Sequence, residues 1–470
     1  MAKSLLSMAT IGGKACLGPD RFDVIDPAVG RMFSSAPLCG ETELEEAIAS
    51  ARKAQAKWSS SERNRRLALQ ACANTIKRNR NDLARLITRE QGKPIQEAIS
   101  EVSYAASIFE EYSKLEIPSR VLSQSEETRT LLLNRPFGIV GLITPWNFPI
   151  GTIAVKLAPA LLAGNAVILK PSQHAPLSPL FLGKALNRAL PSGILNTLSG
   201  FDELGAQIAR HPAIRKLSVT GSTGTGRAVL SAASQEIKSV TLELGGNDPA
   251  IVLPDSDPTQ IARELLDASW RNAGQVCSAI KRIYVHETIY ESLSETLSIE
   301  MAHYKVGNGF ADGVRIGPLT TAASKQKSDD YIASAYKSGA AILSYPHESG
   351  STGNFISPKL VKYIAPDHPL VEEEQFSPIL PLVSYRSIEE AIVWANRSNY
   401  GLSASVWTSN PQIGYDIAAQ LECGRVGVNG HRRASASAPF GGFKQSGLGR
   451  ELGQWGLCEM CETQVVNIFN

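Results

Sequence analysis

The chain has 470 residues, 43% of them apolar, with 47 lysines and arginines set against 45 aspartates and glutamates. That length exceeds a single ordinary core and fits two or three domains at roughly 150 residues each. A net charge of +2, with acids and bases interspersed, gives no electrostatic reason to invoke nucleic acid or a membrane surface.

The N-terminus carries Lys3 and a short mixed segment without the apolar core of a secretion signal, so a cytoplasmic enzyme is expected. Residues 41–115 read as mostly helical, with helix periodicity and charged faces over 42–56 and 61–91. Residues 122–134 are polar and then β-prone. From about residue 137 short apolar runs alternate with helical segments, which is the pattern of βαβ units on a parallel sheet. The predicted strands cover 138–143, 166–169, 194–198, 217–220, 240–244 and 250–253, with an apolar helix running through 162. The apolar stretch 150–169 is broken by Gly151, Lys156, Pro159 and Gly164, so no membrane span is expected there. A second α/β section extends to about 445, and 464–469 is β-prone.

Seven cysteines at 16, 39, 72, 277, 423, 458 and 461 form no disulfide framework. Cys458 and Cys461 make a CxxC, but no second CxxC or paired histidines accompany it, and a zinc site needs about four ligands. They read as two ordinary reduced cysteines, and no metal is expected.

Several segments carry chemistry. Thr144-Pro145-Trp146-Asn147-Phe148-Pro149 follows a strand, and Asn147 has an amide that can donate to an oxyanion. Lys170-Pro171-Ser172 ends another strand, where α/β folds place ligand-binding groups. Gly221-Ser222-Thr223-Gly224-Thr225-Gly226 is a glycine-rich turn between strand and helix, suited to a phosphate at a helix N-terminus, although it is not a GxGxxG. Glu243 opens Glu243-Leu244-Gly245-Gly246-Asn247, and Cys277 ends Asn272-Ala273-Gly274-Gln275-Val276-Cys277. A thiol can attack a carbonyl carbon, and a carboxylate can then activate water against the thioester. Glu374-Gln375-Phe376-Ser377-Pro378 and the long run from Pro439 through Phe440-Gly441-Gly442 to Glu451 follow.

In this order the segments resemble the NAD(P)-dependent aldehyde dehydrogenase superfamily, from residue 22 to residue 466. The resemblance implies an α/β fold with a Rossmann-type dinucleotide-binding domain (1–119 and 137–245) and an α/β catalytic domain (246–445). It also implies a β oligomerisation arm with the C-terminal tail (120–136 and 446–470), and hence a homodimer or homotetramer. By the same resemblance Cys277 is the nucleophile, Glu243 the general base, and Asn147 an oxyanion donor together with the Cys277 backbone N–H. NAD or NADP would be held by Lys170, Ser172, Gln173, Gly221, Ser222 and Gly226, with Trp146, Glu374 and Phe376 on the nicotinamide side. Lys156 and Glu451 match either a proton-relay pair or a structural ion pair.

Two departures bear on specificity. The family usually has Glu where Gln173 stands; losing that charge favours tolerance of NADP, Asp202 opposes it, and use of both cofactors is expected. Relatives that oxidise succinic semialdehyde carry Arg where Val155 stands, yet Arg271 matches a second arginine of those enzymes. Gly151 leaves room, and the loop arginine Arg432 adds a cation. The substrate is therefore expected to be an aldehyde with a polar tail, either a larger semialdehyde or an aromatic one. A CoA-acylating relative would lack the base at Glu243, and a non-catalytic binding protein would have no need of Cys277, Glu243 and Asn147 together.

Overall fold

The central apolar runs become five parallel strands: Ile139–Thr144, Ala166–Pro171, Leu195–Thr197, Lys216–Thr220 and Ser239–Glu243. In the computed structural model, which describes residues 7–345, 352–431 and 436–469, their spatial order is third, second, first, fourth, fifth. The chain thus winds outward from Ile139–Thr144 in one direction and then resumes beside it in the other. That reversal makes a crevice at the carboxyl ends of the first and fourth strands. Ala166–Pro171 is buried along its whole length, as expected of a parallel strand covered by helices on both faces. Apart from Lys156, the helix Gly151–Ala163 is largely apolar and almost entirely buried, which suits a helix inside a layered core. Antiparallel edge strands, Ala9–Ile11 with Lys14–Cys16 on one side and Gly447–Leu448 on the other, complete eight.

A second sheet of seven strands holds the later α/β section, in the order Ala341–Ser344, Lys359–Lys362, Ile379–Tyr385, Ile280–His286, Asp248–Val252, Ser403–Trp407, Arg425–Val428. Each sheet has its own buried cluster. The first takes in residues from Ala9 to Leu244 and again from Leu452 to Cys461; the second runs from Ala250 to Leu421. The third sheet is small: Arg120–Gln124, Thr128–Pro136 and Cys461–Phe469 pair antiparallel.

The helical stretch expected over 61–91 is two helices, Glu62–Arg78 and Arg80–Gln91. Asn79 separates them because its side-chain amide donates to the Thr75 carbonyl at 2.8 Å, closing the first helix.

Candidate active site

Asn147 is fixed from below. Lys93 and Glu101 form an ion pair with both side chains buried, and the Lys93 ammonium also donates to the Asn147 carbonyl at 2.8 Å. Glu101 Oε1 accepts from the backbone N–H groups of Ile150 (2.9 Å) and Gly151 (3.0 Å) at the start of the buried helix. A carboxylate there complements the helix N-terminus. Removing one member strands the other charge in the interior. Lys93→Met is therefore expected to cost about 3–5 kcal/mol of folding free energy, read as a lower urea midpoint. A loss under about 1 kcal/mol, the scale of an exposed pair, would refute that role.

The turn before Cys277 is unusual. Asn272, Ala273 and Gly274 are all left-handed, with φ of 50°, 55° and 75°. Such a conformation costs roughly 1–2 kcal/mol at each residue with a Cβ. At Gly274 a side chain is excluded outright, since an added Cβ would stand 2.3 Å from the Ser377 carbonyl oxygen. Hydrogen bonds hold the turn from several sides. Asn272 N–H donates to Glu97 at 3.0 Å and its amide to the Asn147 carbonyl at 3.1 Å. The buried Lys281 ammonium donates to the Gly274 carbonyl at 2.7 Å, and Thr320 N–H donates to Gln275 Oε1 at 2.9 Å. Asn147 Nδ2 donates to the Gln275 carbonyl at 3.0 Å. That is the one bond its amide hydrogens make among the described residues, so a second hydrogen is left to offer.

Cys277 is half-exposed as a residue, yet its thiol is crowded. Burial, followed by the anions Glu374, Asp248 and Glu243, pushes the thiol up to about 12, and Lys281 opposes them. Glu243 ends its strand 4% exposed, with neither carboxylate oxygen hydrogen-bonded among the described residues. Burial first, and Glu451 next, hold its pKa well above the usual carboxylate range, against Lys156 and Arg450. Gly441 lies against it: a Cβ added there would stand 2.9 Å from Glu243 Oε1. Lys156 pairs with Glu451, and Ser218 bonds to both.

The crevice at the strand reversal has the features of a dinucleotide site. Thr144 Oγ1 and Thr220 Oγ1, at the ends of the first and fourth strands, are buried without partners among the described residues. Ser222 caps the helix Thr223–Ser234 by accepting from Thr225 N–H at 3.1 Å, and Gly221 N–H donates to the Glu243 carbonyl. Gly226 is where helix and strand touch, for an added Cβ would meet Leu244 at 2.5 Å. Lys170 is buried, and burial brings its ammonium down to about 8 against the pull of Asp202. Ser172 and Gln173 follow it, both half-buried. On the other side Trp146 and Phe376 meet edge to face at 5.6 Å, Lys281 lies over Phe376 at 4.7 Å, and Glu374 accepts from Gly246 N–H at 3.0 Å. Orphaned hydroxyls, a capped helix start and a buried cation fit a phosphate-bearing polar ligand.

The residues expected around the substrate are more scattered. Arg271 pairs with Glu97 at 3.7 Å and stacks on Phe148 at 5.2 Å. It borders a cavity of about 580 Å³ with Glu97, Arg263, Asp267 and Trp270, whose lining includes neither Cys277 nor Glu243. Gly151 is buried against Glu101, where an added Cβ would stand 3.4 Å from Cγ. Val155 is half-buried against the first core, and Arg432 lies outside the described residues. Sequence reasoning missed Lys93, Glu101, Lys281, Asp248 and Arg425. Lys281 had a signal, because it and Arg282 interrupt an otherwise apolar strand. Among the described residues no three His, Cys, Asp or Glu side chains converge as a metal site, and no helix is long and apolar enough to cross a membrane.

Residues 17–466 match the model of the aldehyde dehydrogenase family. A probable NADP(+) succinate-semialdehyde dehydrogenase of Sinorhizobium fredii is 38% identical over 93% of this chain and 90% of its own. A glutarate-semialdehyde dehydrogenase of Pseudomonas aeruginosa is 36% identical over 93% of this chain and 92% of its own. Among solved structures, an NADP-dependent enzyme of Escherichia coli superposes with a TM-score of 0.96 at 34% identity, covering 100% of both chains.

Proposed function

Because the chain belongs to the aldehyde dehydrogenase family, an NAD(P)-dependent class of oxidoreductase, we propose that it oxidises the aldehyde end of a short aliphatic semialdehyde to the carboxylate. The observation that carries the substrate is the naming of the Sinorhizobium and Pseudomonas relatives for the succinate and glutarate semialdehydes. The aromatic alternative draws no support from them. Val155, in place of a cation, favours the longer of the two acids.

In this reading Cys277 Sγ, as thiolate, adds to the carbonyl carbon. The developing oxyanion lies between the second Asn147 amide hydrogen and the Cys277 backbone N–H, each donor worth ~3–4 kcal/mol in comparable sites. A nicotinamide held on the Glu374, Phe376 and Trp146 side would supply the hydride acceptor: the C–H bond of the adduct would break toward it, and a thioester would remain on Cys277. Glu243 takes a proton from water, the hydroxide adds to the thioester carbonyl, and the carbon–sulfur bond breaks to release the acid and the thiolate. Glu243 needs its carboxylate bare for this, and its lack of hydrogen-bond partners among the described residues suits the task. Lys170, Ser172, Gln173, Gly221, Ser222 and Gly226 would hold the adenine and phosphate portion; Glu374, Phe376 and Trp146 would hold the nicotinamide side.

The test is kcat/KM for glutarate semialdehyde against pentanal, without CoA. The acid-tailed aldehyde is expected to win about tenfold or more, from a charged hydrogen bond worth ~1.5–3 kcal/mol. Equal values would end the substrate reading. Cofactor choice has its own check. Gln173→Glu would place a charge against a 2′-phosphate, costing about 1–4 kcal/mol at ~4 Å, and should move the preference toward NAD. An unchanged NAD/NADP ratio would show that residue 173 is not the selector.

The three-stranded sheet supports a homo-oligomer of two or four chains. Val121, Leu122, Val465, Ile468 and Phe469 on its strands are exposed, and a second copy of the chain would cover them. Light scattering on the purified protein tests this, and a monomer at micromolar concentration would contradict it.

A further inference from the structure

Arg425 opens the edge strand of the seven-stranded sheet, opposite Ser403. Its side chain is tied to both segments that flank the proposed chemistry. The guanidinium lies over the Phe440 ring, 5.5 Å from its centre. Phe440 precedes Gly441, which packs on Glu243, and its backbone pairs with Glu451. On the other side Arg425 Nη2 donates to the His431 carbonyl at 3.2 Å. The His431 ring, wholly buried as a side chain, donates from Nε2 to the Ser278 carbonyl at 3.0 Å, immediately after Cys277. Arg425 therefore bridges the thiol side and the base side, within electrostatic reach of Cys277, Asp248 and the exposed Tyr104.

Its charge is drawn by the buried Asp248 without a contact ion pair. Among the described residues no carboxylate oxygen lies within 4.0 Å of its nitrogens. Arg271, by contrast, already has Glu97 and faces a cavity that Cys277 and Glu243 do not line. A half-buried guanidinium stacked on an aromatic ring is held in one plane, and its one bond among the described residues, to His431, leaves other N–H groups to offer. Two parallel N–H donors match the two oxygens of a carboxylate.

We propose that Arg425 receives the distal carboxylate of the substrate, a specificity role that rests on the acid-tailed reading given above. Phe440 orients the guanidinium plane, and the His431 carbonyl fixes its rotation.

The experiment compares wild type, Arg425→Met and Arg425→Lys on glutarate semialdehyde and pentanal, each with saturating NADP. Met keeps the packing on Phe440 and removes the charge. It should lower kcat/KM for the semialdehyde by roughly 30-fold or more while pentanal changes little. Lys keeps the charge without the fork and should fall between; it answers the question alone if the Met variant does not fold. Unchanged selectivity in either folded variant, or an equal loss on both aldehydes, overturns the role of Arg425, the latter marking it as a structural tie. A wild type with no preference for the acid ends the acid-tailed reading itself. That result is distinct, because it appears before any variant is made.

Discussion

Cys277→Ala is expected to cut aldehyde oxidation by about 10⁴-fold or more, the scale seen when a covalent nucleophile is removed, while NADP binding stays largely intact. The turn that presents residue 277 is held by Asn272, Gln275 and Lys281 rather than by the thiol, so Ala should leave the backbone where it is. Ser278, on the next peptide, is no replacement, because a hydroxyl at its ordinary pKa is a far weaker nucleophile than a thiolate. The thiol must also ionise to act. With burial and three carboxylates pushing it up to about 12, the cofactor-free enzyme should label with iodoacetamide slowly near neutrality and faster as pH rises. Lys281 is the cation set against that shift, and its loss should slow labelling further at each pH. Residual oxidation above about a hundredth of wild type, with labelling abolished, would remove Cys277 from the nucleophile's role.

How much of this was legible in the sequence differs by scale. The parallel strands were readable because burial on both faces makes them continuous apolar runs, and the turn chemistry at Asn147, Ser222 and Glu243 marks where they end. The aldehyde dehydrogenase resemblance, carried by short motifs in fixed order, is confirmed by the family match and the superposition. What stayed hidden were residues whose meaning lies in long-range contact. Lys93 and Glu101 look like ordinary charges before and within the helix Ile95–Lys114 until Glu101 is seen bonding Ile150 and Gly151, about fifty positions away. Three left-handed residues in succession cannot be read from Asn272-Ala273-Gly274, because Ala273 has no intrinsic preference for that conformation. Arg271 was visible and was assigned to the substrate, but its pairing with Glu97 was not. Arg425 went unnoticed because the loop cation Arg432 took the attention in that stretch, and only the fold brings Arg425 onto the Phe440 ring.

Glu243→Gln should separate the two halves of the reaction. Acylation needs the thiol and the oxyanion donors, so mixing this variant with NADP and aldehyde is expected to release about one NADPH per active site in a burst. Turnover afterwards should fall by roughly 10²–10⁴-fold, the usual contribution of a general base. In the wild type the base form of Glu243 predominates only above its raised pKa. Steady-state turnover should therefore climb with pH along a limb lying above the ordinary carboxylate range, whereas the burst in the Gln variant should lack that limb. Stability gives an independent sign. A carboxyl whose folded pKa is raised holds its proton more tightly in the native state, so its contribution is greatest at low pH and is lost as pH rises through the folded value. Gln at 243 cannot ionise and escapes that loss, so the variant should gain thermal stability over wild type as pH rises while matching it in acid. Normal steady-state turnover by Glu243→Gln would remove the residue from catalysis. A burst without turnover but with an unchanged stability-versus-pH profile would keep the catalytic role and refute the pKa raised by burial and Glu451.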